Sequence, residues 1–281
     1  MSFLEKVSNQ WSIEIINDFP NRGKFVFALF DFDGTISLIR EGWQQIMKPY
    51  FCEELLKTPR AESKEEIESC VNDFIDYLTG KQTIYQCKKL AEEISARGGK
   101  ALDPQHYKDE YHQRLLNKIQ HRLDGLANGR IQPDEMVVPG SFELMRELRA
   151  RGVTIFLASG TDEEYVLKEA ELLGVTQYCN GGIYGAQKDY RLFSKKMIVH
   201  KIIETHGLSG FELVGFGDGY VEIEDVKEAG GFSCGVASDE AGKKKVDLWK
   251  RDRLIQAGAD IIIPNFSETK KLLDYLFLEG D

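Results

Sequence analysis

Short apolar runs and longer amphipathic stretches take turns along much of the chain. Phe25–Phe30, Val153–Ala158, Phe211–Phe216, Phe232–Val236 and Ile261–Ile263 are each too short for a helix. Most run apolar without alternation, as strands buried on both faces do. Between them, Ser141–Ala150, Asp162–Leu173, Lys196–His206, Val221–Ala229 and Ser267–Phe277 carry helical spacing. Strand and helix in strict turn predict a doubly wound, Rossmann-like α/β core on a parallel sheet covered on both faces. Residues 38–135 read differently. Helical patterns at Gly42–Lys57, Lys64–Leu78, Ile84–Arg97 and Gln105–Leu126 follow one another with no convincing strand. A helical domain at 38–135, inserted into an α/β core made of 1–37 and 136–281, is the economical division. Tyr107, Tyr111 and Leu115 fall four apart and predict one buried helix face.

Composition narrows the function classes. The 281 residues are 42% hydrophobic and 29% charged, an ordinary globular balance. No apolar run approaches the roughly 20 residues that span a bilayer, and Met1–Lys6 does not read as a signal peptide. A formal charge of −10 disfavours nucleic acid as a partner. Five scattered cysteines without a C-x-x-C pair support neither a zinc site nor a redox motif, and suit a reducing cytoplasm. The basic stretch Lys243–Lys245, Lys250, Arg251 and Arg253 is interleaved with Asp239, Glu240, Asp247 and Asp252, which predicts a solvated helix face.

The chemistry concentrates where strands end. Asp31-Phe32-Asp33-Gly34-Thr35 follows the first apolar run directly, at the strand end where open parallel sheets bind ligands. Extended backbone would point Asp31 and Asp33 the same way. Two carboxylates that close stay ionised only beside a cation, and oxygen ligands suit Mg²⁺. Val153–Ala158 runs into Ser159-Gly160-Thr161, which alone would be an ordinary helix cap. Phe211–Phe216 ends in Gly217-Asp218-Gly219. The acid in the middle of Gly215–Gly219 argues against a dinucleotide loop.

This ordered set resembles the four motifs of the haloacid dehalogenase superfamily, with D-x-D-G-T at Asp31–Thr35. The resemblance implies that Asp31 is the nucleophile and Asp33 the general acid/base. It assigns Ser159, with backbone N–H groups near Gly160, to the phosphoryl group, and Lys195 or Lys196 to charge neutralisation, Lys195 being preferred. It implies Mg²⁺ held by Asp31, the Asp33 carbonyl and Asp218, with Glu222 as second acid and Glu224 or Asp225 as competitors. It makes the helical insert a C1-type cap, most similar to the phosphoserine and phosphoglycolate phosphatase branches. Arg40 and Trp43 would then lie in the cap's first segment, where an arginine selects an anion or sugar hydroxyls rather than an amine. The implied activity is hydrolysis of a small phosphorylated metabolite. A β-phosphoglucomutase-like phosphomutase and a catalytically idle binding module are the alternatives.

Overall fold

The computed structural model describes residues 13–207 and 209–278. Met1–Lys6, read above against a signal peptide, lies outside the described residues. Among the described residues, seven strands form one sheet: β1 (Glu14–Ile15), β2 (Phe27–Phe30), β3 (Thr154–Asp162), β4 (Gly182–Ala186), β5 (Leu213–Gly217), β6 (Phe232–Val236) and β7 (Ile261–Ile263). Their order is β1-β7-β6-β5-β2-β3-β4. Every pairing is parallel except that of β1 with β7. The sheet is therefore mostly rather than wholly parallel: a short antiparallel strand blunts one edge, and its two residues offer no pattern to read. From β2 the chain winds outward through β3 and β4, then crosses to β5 and winds the other way. This reversal between β2 and β5 opens the crevice that doubly wound sheets use for ligands.

Burial explains the strand sequences. All four residues of β2 are buried, as are all five of β5 and of β6. The Phe30 and Phe216 rings stack across the β2–β5 pair at 4.5 Å between centroids, and Phe266 meets both edge-on. Flanking helices span Ser141–Ala150, Glu163–Leu172, Lys195–His206, Tyr220–Glu228, Leu248–Gln256 and Thr269–Phe277. Ser194 starts the Lys195 helix by accepting the Met197 N–H, and Asp247 starts the Leu248 helix by accepting the Lys250 N–H. Both are ordinary N-caps, and each fixes the first turn of a helix whose lysine matters below. Gly140 is required by its surroundings: its φ is +84° and a Cβ there would lie 2.1 Å from the Phe266 carbonyl oxygen.

Two compact units divide the chain, one made of Met1–Glu41 with Gly125–Asp281 and the other of Gly42–Asp124. The second unit is helical, with helices at Gln44–Leu56, Lys64–Leu78 and Thr83–Ala96, and most of a fourth, Pro104–Ala127. Ser63 and Glu66 form a reciprocal capping box at the start of its second helix. Of its residues, Met47, Phe51, Leu55, Val71, Ile75 and Leu90 are fully or almost fully buried, as are Tyr107, Tyr111 and Leu115. The four-residue spacing thus reports a core face. No helix among the described residues is long and apolar enough to cross a membrane.

Candidate functional site

β2 ends at Phe30, so the alternation that would align Asp31 with Asp33 stops there. Gly34, with φ +78°, turns the chain, and the two carboxylates face different partners. Asp31 is buried and accepts from Lys195 Nζ at 2.6 Å; the same ammonium donates to Glu222 Oε2 at 2.8 Å. Burial works against this ammonium, but the Asp31 and Glu222 carboxylates hold its pKa well above the usual lysine value. Burial also pushes the Asp31 carboxyl up, with Lys195 opposing it. Lys196, the other candidate, is half exposed and pairs with Glu228.

Asp33 turns toward the second strand end. Its Oδ2 accepts from Ser159 Oγ at 3.1 Å and from Thr161 Oγ1 at 2.9 Å. Ser159 in turn accepts the Thr161 N–H. These residues lie within β3, which runs on to Asp162 with an irregularity after Ala158, rather than after the strand's end at Ala158 as the apolar run suggests. Gly160 sits between the two hydroxyl residues, part-buried. The other Asp33 oxygen has no hydrogen-bond partner among the described residues and faces Arg40 Nε at 3.8 Å.

Arg40, expected to select an anion or sugar hydroxyls, lies beside Asp33 and already has a carboxylate partner. Its guanidinium is buried and committed to Glu169, with Nε at 3.1 Å from both carboxylate oxygens and Nη2 at 2.6 Å from one. Burial raises the Glu169 pKa, and Arg40 opposes that rise. Only a tertiary contact 129 residues away joins the pair, so spacing offered no hint of it.

The third strand end supplies Asp218, and the helix after it supplies Glu222. Glu222 Oε1 accepts the Gly219 N–H at 2.6 Å, so this residue caps its own helix while holding Lys195. Among its competitors, Glu224 is exposed, and burial raises Asp225 to about 6. Oxygen atoms of Asp31, Asp218 and Glu222 lie within 4.8 Å of one another. An oxygen-only, anionic set of this span fits a hard divalent cation such as Mg²⁺. The Asp33 side chain is not part of it. Lys250, expected on a solvated face, is instead buried, with Nζ at 2.7 Å from both Asp218 Oδ2 and Glu240 Oε1. The charges around it interleave in sequence, yet Lys250 is buried in the first turn of the helix that Asp247 caps. Thr35 reaches Asp218 Oδ1 at 3.4 Å.

A family model described as haloacid dehalogenase-like hydrolase matches residues 27–230. The chain belongs to the haloacid dehalogenase-like hydrolases. Solved structures of the same fold include a predicted phosphoglycolate phosphatase from Haemophilus somnus 129PT, at 14% identity and a TM-score of 0.59, covering 89% of this chain and 98% of that one. A β-phosphoglucomutase from Clostridium difficile matches at 15% identity and a TM-score of 0.59, over 91% and 98% of the two chains. A HAD family hydrolase from Deinococcus radiodurans R1, with bound phosphate and sodium, matches at 17% identity and 0.54, over 91% and 98%. No curated protein sequence matches. At these identities the likeness shows the haloacid dehalogenase fold, and the side chains must argue the chemistry.

Proposed function

We propose that this hydrolase is a Mg²⁺-dependent phosphatase that cleaves a small phosphomonoester through an aspartyl-phosphate. The observation that carries this reading is the division of labour between two acids only two residues apart. Asp31 is gripped by Lys195 and has one face toward the carboxylate cluster, whereas Asp33 is held by two hydroxyls and backed by Arg40. A nucleophile and a proton carrier need such separate surroundings.

In this scheme an Asp31 oxygen attacks phosphorus in line while the bond from phosphorus to the leaving oxygen breaks. Asp33 delivers its proton to that oxygen. Water then attacks the phosphorus of the aspartyl-phosphate, gives a proton to Asp33, and releases phosphate and the Asp31 carboxylate. Lys195 neutralises charge on the transferring oxygens, and Ser159 with its neighbouring backbone N–H groups orients them. Mg²⁺, when held by Asp31, the Asp33 carbonyl and Asp218 beside Glu222, would screen the approach of one anion to another. A dehalogenation would not need the second acid, since halide leaves without a proton.

The test is phosphate release from a panel of phosphorylated sugars, glycolate, serine and nucleotides, with and without Mg²⁺, for the wild type and Asp31→Asn. Release that requires both metal and Asp31 is expected, with a loss of at least about 10³-fold in the variant. Normal activity in Asp31→Asn ends the scheme. Isomer formation without net release would instead identify a mutase, and inertness toward every compound would favour a binding module.

A further inference from the structure

Four residues from the segment after β6 converge on a single corner of the site. Ser238 Oγ donates to the Gly34 carbonyl at 2.5 Å, and Lys250 Nζ donates to Ser238 Oγ at 3.1 Å. The same Nζ grips Asp218 Oδ2 and Glu240 Oε1, while Asp247 fixes the first turn of the helix that carries it. The bare face of Gly34 makes this possible. A Cβ there would fall 2.2 Å from Asp218 Oδ2 and 3.1 Å from Glu240 Oε1.

We infer that Lys250 is a positioning residue for the metal site, clamping one oxygen of Asp218 so that the other is presented to the cluster of Asp31 and Glu222. The clamp holds Oδ2, and among the described residues Oδ1 has only the long Thr35 contact. Through Ser238 the same lysine ties the Asp218 loop to the Gly34 carbonyl, so two strand-end loops are braced by one ammonium. Glu240 keeps that ammonium in place from the far side. An unclamped carboxylate would have to lose rotamer freedom on binding a cation, and next to an unpaired Glu240 it would also be repelled. Outer partners of this kind typically set metal affinity or activity by 10- to 100-fold. Lys250 touches neither the proposed nucleophile nor the acid/base. The inference rests on the metal-dependent reading above, but its test does not need turnover.

Mn²⁺ affinity of the substrate-free protein, read by the electron paramagnetic resonance signal of free Mn²⁺, is the direct measurement. Lys250→Met is expected to bind about 10-fold more weakly or worse, and Lys250→Arg to recover part of the loss. Lys250→Gln, which keeps a donor but no charge, serves if the methionine variant does not fold, and circular dichroism decides which is used. Unchanged or tighter Mn²⁺ binding in the folded variant overturns the inference. A wild type that binds Mn²⁺ but releases no phosphate would defeat the phosphatase reading alone. A wild type that releases phosphate with Mg²⁺, beside a Lys250 variant of wild-type affinity, would defeat this inference alone.

Discussion

Replacing Lys195 by methionine keeps an apolar stem of similar reach and removes the ammonium. The structure puts that ammonium 2.6 Å from Asp31 and 2.8 Å from Glu222, with the lysine side chain 5% exposed. Asp218 contributes a third carboxylate oxygen within 4.8 Å of the other two. At an effective dielectric constant near 20, two unit charges that far apart repel by roughly 3.5 kcal/mol. Water cannot reach the pair freely to screen them. Removing one partner of a buried ion pair generally costs about 3–5 kcal/mol, and a loss in that range is expected for Lys195→Met in a chelating buffer. Urea unfolding followed by circular dichroism measures it. Adding Mg²⁺ should stabilise the variant more than the wild type, because Lys195 takes the Glu222 oxygen that the Gly219 N–H leaves, whereas Lys250 leaves Asp218 Oδ1 to a cation. At 100 times its dissociation constant it would return about 2.7 kcal/mol. A chelated loss below about 1 kcal/mol would refute the reasoning, since the carboxylates would not then depend on Lys195 for their charge. Equal stabilisation of both proteins by Mg²⁺ would refute its second half.

Two further predictions concern groups outside that cluster. Glu169→Leu leaves the buried Arg40 guanidinium without its bidentate partner and should cost about 3–5 kcal/mol, whereas Arg40→Met with Glu169→Leu should cost less than that single change. A double-mutant cycle on urea midpoints reads the coupling, and additive losses would show that the two side chains do not act as a pair. Burial raises the thiols of Cys87 and Cys179 to about 12 from an ordinary 9.0. Between those values the folded chain keeps protons that the unfolded chain releases, so stability should fall as pH rises above 9. Each thiol would cost roughly 1.4 kcal/mol by pH 10. The Cys87→Ala, Cys179→Ala protein should lose correspondingly less stability between pH 8 and pH 10; an identical loss would contradict the assignment.

Local rules located most of the α/β framework, because strands buried on both faces must be apolar throughout. Phe232–Val236, Ile261–Ile263, Ser141–Ala150 and Lys64–Leu78 have the same bounds in sequence and structure. β4 escaped because Gly182–Ala186 holds two glycines and a half-buried tyrosine, with no apolar run to notice. Asp31, Asp33, Ser159 and Asp218 stood out where strands end, whereas Lys195 was singled out only by the family resemblance. Lys250, Ser238, Glu240 and Glu169 did not stand out, since each earns its place only through a contact made by folding. Charge interleaving described the helix around Lys250 well on average and misdescribed the one residue that turns inward. The partner of Arg40 was hidden for a related reason: proximity in sequence to the first motif suggested reach toward substrate, while Glu169, which holds its guanidinium, lies far along the chain.

The helical unit leaves and rejoins the α/β unit through a stem that closes on itself. Ser37 bridges Val137 in antiparallel fashion, the Val138 N–H donates to the Ile36 carbonyl, and the Leu38 N–H donates to that of Met136. The intervening excursion is therefore a loop whose ends are already joined. Lengthening such a loop is thermodynamically mild, about 0.6 kcal/mol for each doubling. The stem lies within the α/β unit, as do Asp31, Asp33 and Ser159, so the positions of these side chains do not depend on the length of the excursion. A lineage built this way can trade one insert for another, or an engineer can replace it with a short turn, while inheriting the same reactive core.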